Sequence, residues 1–597
     1  MSSPERQREP LHILESNLVF GAAIGALVVL FFILNSPWPM LGPDESAWMT
    51  SAIKVLKGKV LGREAVMAKG PYLLLWHLGA YLLTGANVIA LHLIGAAWAA
   101  LTGAVVCLLT LRLSNRTGLL ATGLLYTAAM ADHALRTNVY AEVLMALPIS
   151  LGFISLVQGL RTGRVRWTAA AGILVAVAVL TKQTAAFYAL AMAVSVPICV
   201  CGRGKGVGLE ARPSGLVAHW LAAAGGAVVG ALPWVVYVRV HSAGADFLNS
   251  FVGESSRYVT AVASSTVVYN LQWSILHVIP RYSLVLVAAA VGTAWLMRRA
   301  GRAALGSRGG AEWAVVLPLW LLAGALSVAS TGRFAAHYFS QAFPALALVG
   351  GLWVAWTVPR FGDGGEAEDG GEERPVRLGF AALLVIAQLV TLIPIARMSM
   401  HSWRYAGELS RVRSSWRVVG EYVRAHTNPD ETVFVWGDQT EVLYWAGREL
   451  ASDEPWITLQ LLGFEHTGPL FAERATDEID WPRLQAELER WQPRYVVIAP
   501  AVQTVAAPET GRFGIEQLPR LGEILEQLGY VRERQLRGYE LYRLYTGRWA
   551  CGGAEGERKE GRHPPSPHAS RPLQFWVWHS GCAGIREACS ERRQPWS

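Results

Sequence analysis

Long apolar runs recur between residues 17 and 396, and they constrain this chain more than any other feature of its sequence. A run of about 20 apolar residues is long enough for a helix to cross a bilayer. Charged residues make up only 16% of the chain, well below the roughly 25% of soluble proteins. The sequence therefore predicts an α-helical polytopic membrane protein. We identify eleven runs, near 17–36, 87–111, 117–132, 139–158, 167–181, 183–201, 216–239, 273–297, 313–330, 337–357 and 376–396.

The distribution of basic residues over the loops indicates how the chain is threaded through the membrane. If the N-terminus is cytoplasmic, the loops on that side carry clusters such as Arg161, Arg164 and Arg166. The loops on the other side carry mostly isolated basic residues, such as Lys182 and Arg333. This is the positive-inside bias, and it accounts for much of the net charge of +8 without a nucleic-acid partner. We predict a multi-pass protein of the plasma (inner) membrane, surrounded by membrane lipids, with its C-terminal part extracytoplasmic.

The sequence divides into a membrane part, residues 1–401, a soluble α/β domain, residues 402–546, and a tail, residues 547–597. Within the second part we predict an amphipathic helix from Trp403 to His426, ending at the turn Asn428-Pro429-Asp430. The tail is rich in Gly, Pro, Arg and Ser and has no periodicity, so we expect it to be disordered. Further elements of the α/β domain are predicted at 432–436, 484–491, 495–499, 517–528 and 539–545.

The first extracytoplasmic loop, residues 41–86, is far longer than a connection between two spans requires. Asp44 and Glu45 follow Pro43 and make an acidic helix start, which in many proteins serves only to offset the helix dipole. Lys69 stands in an otherwise apolar stretch, where a cation needs an anionic partner unless it reaches a lipid headgroup. These residues alone do not distinguish a structural role of this loop from a catalytic one.

Further charged side chains stand at the ends of spans, all on the predicted extracytoplasmic side. Each of them alone is compatible with an ordinary interfacial residue. As a set they predict a cationic pocket with two or three carboxylates, which suits a lipid-linked phosphate and a sugar, because arginine can hold phosphate oxygens with paired hydrogen bonds. The set consists of Arg136, Glu142, Lys182, Arg333 and His337.

Several segments resemble the lipid-linked glycosyltransferases of family 39, the protein O-mannosyltransferase and aminoarabinose–lipid A transferase type, which have the GT-C fold. The order and spacing of the segments carry the resemblance, because no single segment is specific. They cover most of residues 40–200, together with 331–348. The segments are GPDESAW (42–48), KGP (69–71), TGANVIALHLIGAAWAALTGAVVCLL (84–109), RTNVYAEVLMALP (136–148), AAGILVAVAVLTKQTA (170–185) and GRFAAHYFSQAFPALAL (332–348).

This resemblance implies a hexosyl- or pentosyltransferase that moves a sugar from a polyprenyl-phosphate donor to an extracytoplasmic glycolipid, glycan or protein. Asp44 matches the family's catalytic acid, which acts as general base on the acceptor, and Glu45 would support it. No cofactor and no required metal are expected. The resemblance implies donor-phosphate binding by Lys69, Arg136, Lys182 and Arg333, and acceptor or sugar binding by Glu142, His337 and Tyr338.

Two other classes of protein stay open as alternatives. A transporter or flippase of lipid-linked precursors is expected to have interrupted helices and charges near the midplane, whereas the charges here lie at one membrane face. A binding or sensor protein would use the membrane part only as an anchor, for which eleven spans are excessive. Departures from the family pattern at Trp48, Ala68 and Gly70 leave the sugar and the acceptor undefined.

Overall fold

The structure is a computed structural model, and part of the chain lies outside the residues that it describes. The predicted spans 17–36 and 376–396 fall almost entirely outside them, as do Arg136 and the tail 547–597. The described residues are 30–31, 41–66, 69–85, 87–132, 138–202, 213–260, 264–298, 311–357, 415–437, 440–453, 480–499 and 519–545, with isolated positions between 386 and 404.

Helices form the membrane part, and each of the nine runs predicted between residues 87 and 357 overlaps a helix. Short 3₁₀ segments lie at Gln183–Ala185, Ile279–Tyr282 and Ala336–Gln341, and a π-helical turn lies at Asn249–Gly253. The helices are α1 (Pro43–Leu56), α2 (Pro71–Thr84), α3 (Val88–Leu113), α4 (Arg116–Met130), α5 (Ala141–Thr162), α6 (Val165–Val179), α7 (Ala186–Gly202), α8 (Pro213–Val240), α9 (Gly244–Leu248), α10 (Glu254–Thr260), α11 (Ser264–His277), α12 (Ser283–Met297), α13 (Trp313–Ala329) and α14 (Phe343–Thr357).

Five segments of the described chain are helical, long and apolar enough to cross a membrane. Helices α6, α13 and α14 are apolar but shorter. Apolar side chains such as Leu221 and Val229 of α8 are more than half exposed, which suits a helix that faces lipid. The prediction of a helical membrane protein is confirmed, while the total of eleven spans stays a prediction. The five segments are Val88–Leu113, Ala141–Thr162, Gln183–Cys201, Gly215–Val240 and Ile279–Met297.

Helix α5 is enclosed by other helices, and most of its side chains are buried. The ring of Phe153 stacks on that of Trp320 in α13, with 4.7 Å between the ring centroids. Because α5 is surrounded by protein, the carboxylate of Glu142 in its first turn is buried among side chains.

Helices α6 and α8 approach each other through glycines. A Cβ atom at Gly172 would lie 2.0 Å from the carbonyl oxygen of Ala223, and one at Gly226 would lie 2.0 Å from the carbonyl oxygen of Ala169. Membrane helices commonly pack through small residues, because lipid supplies no hydrophobic force that drives them together. Since α6 runs directly into residues 180–182, this packing fixes the start of the loop that carries Lys182.

The described residues of the C-terminal α/β region, which runs from 415 to 545, form a five-stranded mixed sheet with strand order β2-β1-β3-β5-β4. Strand β1 is parallel to β2 and β3, and β5 is antiparallel to β3 and β4. The strands are β1 (Thr432–Trp436), β2 (Glu449–Leu450), β3 (Tyr495–Ile498), β4 (Tyr530–Leu536) and β5 (Tyr539–Leu544), and the helices are α15 (Ser415–Ala425), α16 (Glu441–Ala446), α17 (Trp481–Trp491) and α18 (Pro519–Gln527).

The predicted α/β composition of this region agrees with the structure, and β1 has the predicted bounds. Of the amphipathic helix predicted from Trp403, the described residues are helical at 403–404 and 415–425. Strands β2 and β4 were not predicted, because β2 has only two residues and β4 exposes most of its side chains. The region packs against the membrane helices in one compact unit, and its position outside the cytoplasm stays a prediction.

Candidate active site

Asp44 lies in the first turn of α1, immediately after the helix begins. The residue before the helix, Gly42, supplies no capping side chain, and Pro43 has no amide hydrogen that needs a partner. Within the part of the chain that the structure describes, the half-buried side chain of Asp44 makes no hydrogen bond and no ion pair. Among the described residues its carboxylate oxygens therefore keep free acceptor positions.

The next residue, Glu45, is fully buried and has partners on two other elements. Its carboxylate accepts a 2.8 Å hydrogen bond from Nε2 of His92 on α3 and a 3.3 Å hydrogen bond from the amide of Val139. Because consecutive helical residues are rotated by about 100°, Asp44 and Glu45 point in different directions. Glu45 connects α1 to α3 and to the segment that leads into α5.

Residues 69–72 run alongside residues 180–182, which brings two lysines together. The amide of Gly70 donates to the carbonyl oxygen of Thr181 and the amide of Tyr72 donates to that of Leu180, both at 3.0 Å. A Cβ atom at Gly70 would lie only 1.9 Å from the carbonyl oxygen of Leu180. The close approach therefore requires glycine at position 70, where the sequence departs from the family pattern.

Lys182 is buried and forms an ion pair with Glu142, which lies in the first turn of α5. The Lys182 ammonium also lies over the ring of Tyr338, 4.2 Å from the ring centroid, a cation–π geometry. Beside it, the ring of His337 stacks on Tyr140 at a centroid distance of 4.2 Å and an interplanar angle of 8°. These contacts join the start of α5, the loop after α6 and the 3₁₀ segment 336–341.

Lys69 lies in the electrostatic field of this group. Burial, together with the nearby ammonium of Lys182, lowers the pKa of Lys69 to about 8, and Arg333 acts in the same direction. The carboxylates of Glu142 and Asp44 partly offset these effects. Three cations are therefore close enough to destabilise one another, and an anion bound among them would relieve that repulsion.

Most of the residues predicted for the site come together at one end of the helices. Glu45 lies beside the group, but its carboxylate is directed at His92. Arg136 lies outside the described residues. The residues brought together, which we call the polar cluster, are Asp44, Lys69, Glu142, Lys182, Arg333, His337 and Tyr338.

His92 and Tyr140 also belong to this environment, although neither was predicted from the sequence. A histidine inside the apolar run 87–111 was a usable signal, because a buried imidazole needs a polar partner. Among the described residues, no three His, Cys, Asp or Glu side chains are placed to hold a metal ion. The absence of a required metal stays a prediction.

No protein family model matches this sequence, and no curated protein is similar to it in sequence. In structure the chain is similar to ArnT from Cupriavidus metallidurans bound to undecaprenyl phosphate, with a TM-score of 0.54 and 15% identity over 88% of this chain and 97% of ArnT. It is also similar to the oligosaccharyltransferase AglB from Archaeoglobus fulgidus in complex with an inhibitory peptide and a dolichol-phosphate, with a TM-score of 0.52 and 12% identity over 89% of this chain and 74% of AglB. The chain thus has the GT-C fold of these membrane proteins, as the resemblance implied.

Proposed function

We propose that this protein is a membrane glycosyltransferase that moves a sugar from a polyprenyl-phosphate donor to an extracytoplasmic glycolipid, glycan or protein. The observation that carries the proposal is the combination of Asp44, whose carboxylate is available, with three cations that include Lys69. A base and a phosphate-binding group are the two parts that such a transfer needs. The fold adds support, because ArnT is bound to undecaprenyl phosphate and AglB to dolichol-phosphate.

The proposed reaction is an inverting displacement at the anomeric carbon of the sugar. Asp44 removes the proton from the acceptor hydroxyl or amine, and the oxygen or nitrogen forms the new bond to the anomeric carbon. The bond between that carbon and the phosphate oxygen breaks, and polyprenyl phosphate leaves with the electron pair. No nucleotide is required, because the donor is already activated in the membrane.

The cations of the polar cluster have different partners, which suggests different roles. Lys182 is already paired with Glu142, so we propose that it holds the pocket together and contributes less to phosphate binding. Lys69 is the proposed primary phosphate contact, because burial and the nearby cations lower its pKa to about 8 and a bound anion would stabilise its charged form. Arg333 would add paired hydrogen bonds to the phosphate oxygens.

We propose that Glu45 positions Asp44 and takes no direct part in proton transfer, since its own carboxylate is bonded to His92 and Val139. Three other members of the polar cluster, Glu142, His337 and Tyr338, are proposed to contact the sugar or the acceptor.

A transporter or flippase of lipid-linked precursors stays the competing hypothesis, and one experiment separates the two. The purified full-length protein is placed in liposomes with undecaprenyl-phosphate-linked hexose or pentose and an envelope glycolipid fraction. Release of undecaprenyl phosphate with transfer of the sugar supports the transferase, and Asp44→Asn should abolish both. Movement of the intact donor across the bilayer without cleavage would support the flippase and overturn the proposal.

The identity of the sugar and the acceptor needs a second measurement. Mass spectrometry of the envelope glycans and glycolipids from a deletion strain should show one product that has lost its sugar. An unchanged envelope, together with absence of transfer by the purified protein, would contradict the proposed function.

A further inference from the structure

The start of α1 is bonded to the C-terminal α/β region as well as to another helix of the membrane part. Ser46, two residues after Asp44, is buried, and its Oγ lies 2.7 Å from Oγ1 of Thr440, the residue that precedes α16. Rotation by about 100° per residue separates the directions of Asp44, Glu45 and Ser46. Glu45 is directed at α3 and Ser46 at the C-terminal α/β region, while the carboxylate of Asp44 lies close enough to Lys69 for their charges to interact.

A second contact lies two helical turns further along α1, about 12 Å away. The ammonium of Lys54 is buried, donates to the carbonyl oxygens of Ser452 and Glu64, and lies over the ring of Trp491, 5.1 Å from its centroid. No carboxylate of the described residues comes within 4 Å of it, and burial lowers its pKa to about 8. This amine is held by the backbone of the α/β region at Ser452, by the backbone of the first loop at Glu64 and by the aromatic face of Trp491.

The chain just after α1 is bound to the same loop. The amide of Val66 donates a 3.0 Å hydrogen bond to the carbonyl oxygen of Asp453, next to Ser452. The α/β region therefore contacts the first turn of α1, its last turns and the segment that follows. These contacts lie at both ends of α1, the helix that carries the proposed base.

We infer that the C-terminal α/β region is a positioning element for α1, with Ser46, Thr440 and Lys54 as positioning residues that aim Asp44 at the acceptor. The inference rests on the proposed function and goes beyond it, because it makes the α/β region necessary for the rate of the reaction. The physical basis is that a general base works only within hydrogen-bond reach of the proton that it removes. A small shift of α1 would move Asp44 away from the acceptor proton and would slow the proton transfer.

The hydroxyl pair Ser46–Thr440 allows a sharp test in the full-length protein with undecaprenyl-phosphate-linked sugar as donor. Thr440→Val keeps the shape of the side chain but removes the hydroxyl, whereas Thr440→Ser keeps the hydroxyl. We expect kcat to fall about threefold to tenfold in Thr440→Val, the loss that one hydrogen bond accounts for. The KM for the donor should stay unchanged, and Thr440→Ser should restore kcat.

The matched control is Tyr444→Phe. The Tyr444 hydroxyl donates a 3.2 Å hydrogen bond to the carbonyl oxygen of Gly85, at the end of α2, so this bond joins the same region to the membrane part through α2. The ring of Tyr444 packs with Met49 of α1, and phenylalanine keeps that packing. Removal of the hydroxyl should leave kcat unchanged. Ser46→Ala combined with Thr440→Val should be no slower than the slower single variant, because both remove one interaction. Equal kcat values in Thr440→Val and Tyr444→Phe, or an effect confined to the KM for the acceptor, would overturn the inference.

Amide hydrogen exchange of residues 43–56 tests the same contact without any reaction. Exchange in α1 should be faster in Thr440→Val than in wild type, Thr440→Ser or Tyr444→Phe. If wild type transfers no sugar, the proposed function fails while this comparison still reports on positioning. If wild type is active and α1 exchanges equally fast in all four proteins, the inference fails and the proposed function stands.

Discussion

The amide of Gly70 donates a 3.0 Å hydrogen bond to the carbonyl oxygen of Thr181. This bond joins the first loop to the loop after α6 and sets Lys69 beside Lys182, so that their charges interact. The pocket proposed for the donor phosphate depends on this approach of two backbone segments, for which position 70 must lack a side chain.

Gly70→Ala should therefore disrupt the phosphate site. The added Cβ would lie 1.9 Å from the carbonyl oxygen of Leu180, so one of the two segments must move, at a cost of about 1–3 kcal/mol. We expect a higher KM for the donor and a lower melting temperature. The control is Gly79→Ala, where a Cβ meets nothing within 4 Å and alanine favours the helix by roughly 0.5–1 kcal/mol. Equal donor KM values in the two variants would contradict the role given to Gly70.

Asp44→Asn and Glu45→Gln should have different effects although the two residues are neighbours. Asparagine at position 44 cannot accept the proton, so kcat should fall by at least about a hundredfold with unchanged membrane insertion and melting temperature. Glutamine at position 45 can still accept from the amide of Val139, so much of kcat should remain and the melting temperature should fall. A larger loss of kcat in Glu45→Gln than in Asp44→Asn would indicate that Glu45 is the base and that Asp44 only positions it.

Binding of undecaprenyl phosphate should weaken above about pH 8 because of Lys69. Below its pKa of about 8 this amine is protonated and attracts the phosphate. Above that pH, binding must take up a proton, so the dissociation constant should rise by up to about tenfold per pH unit. The phosphate itself does not titrate in this range, since its second pKa is about 6.

Lys69→Arg supplies the control for this pH dependence, because arginine stays charged at all relevant pH values. The variant should bind with a nearly constant dissociation constant between pH 7 and 9.5. Lys54, whose pKa is also about 8, is unchanged in the variant. A pH dependence that persists in Lys69→Arg would therefore assign the titration to another group.

The buried pair Glu142–Lys182 should couple strongly in a double-mutant cycle. Glu142→Gln or Lys182→Met alone leaves one buried charge without its partner, which costs about 3–5 kcal/mol of unfolding free energy. The double variant should be more stable than either single variant. As a control, Arg63→Ala breaks the half-exposed pair with Asp246 and should cost less than about 1 kcal/mol. If the losses of melting temperature in the two single variants add up in the double variant, the two side chains do not stabilise each other.

Those features of the fold that arise from local pattern could be predicted from the amino-acid sequence. A span needs a continuous apolar run, so the helices between residues 87 and 357 were predictable. Strand β1, with all but its first residue buried, was recognisable for a similar reason. Strand β4 was not, because its side chains are mostly exposed and only pairing with β5 makes it a strand. The positive-inside bias likewise predicted that the candidate residues share one membrane face.

Which of these residues meet, and which way their side chains point, could not be predicted in this way. Ser46 and Thr440 are 394 positions apart, and no periodicity connects them. Asp44 and Glu45 look equivalent as an acidic pair, yet the carboxylate of Glu45 is buried against His92, while that of Asp44 is half-buried and interacts with the charge of Lys69. The physical reason is that local pattern sets the element on which a side chain sits, whereas its partner is set by the packing of elements distant in sequence.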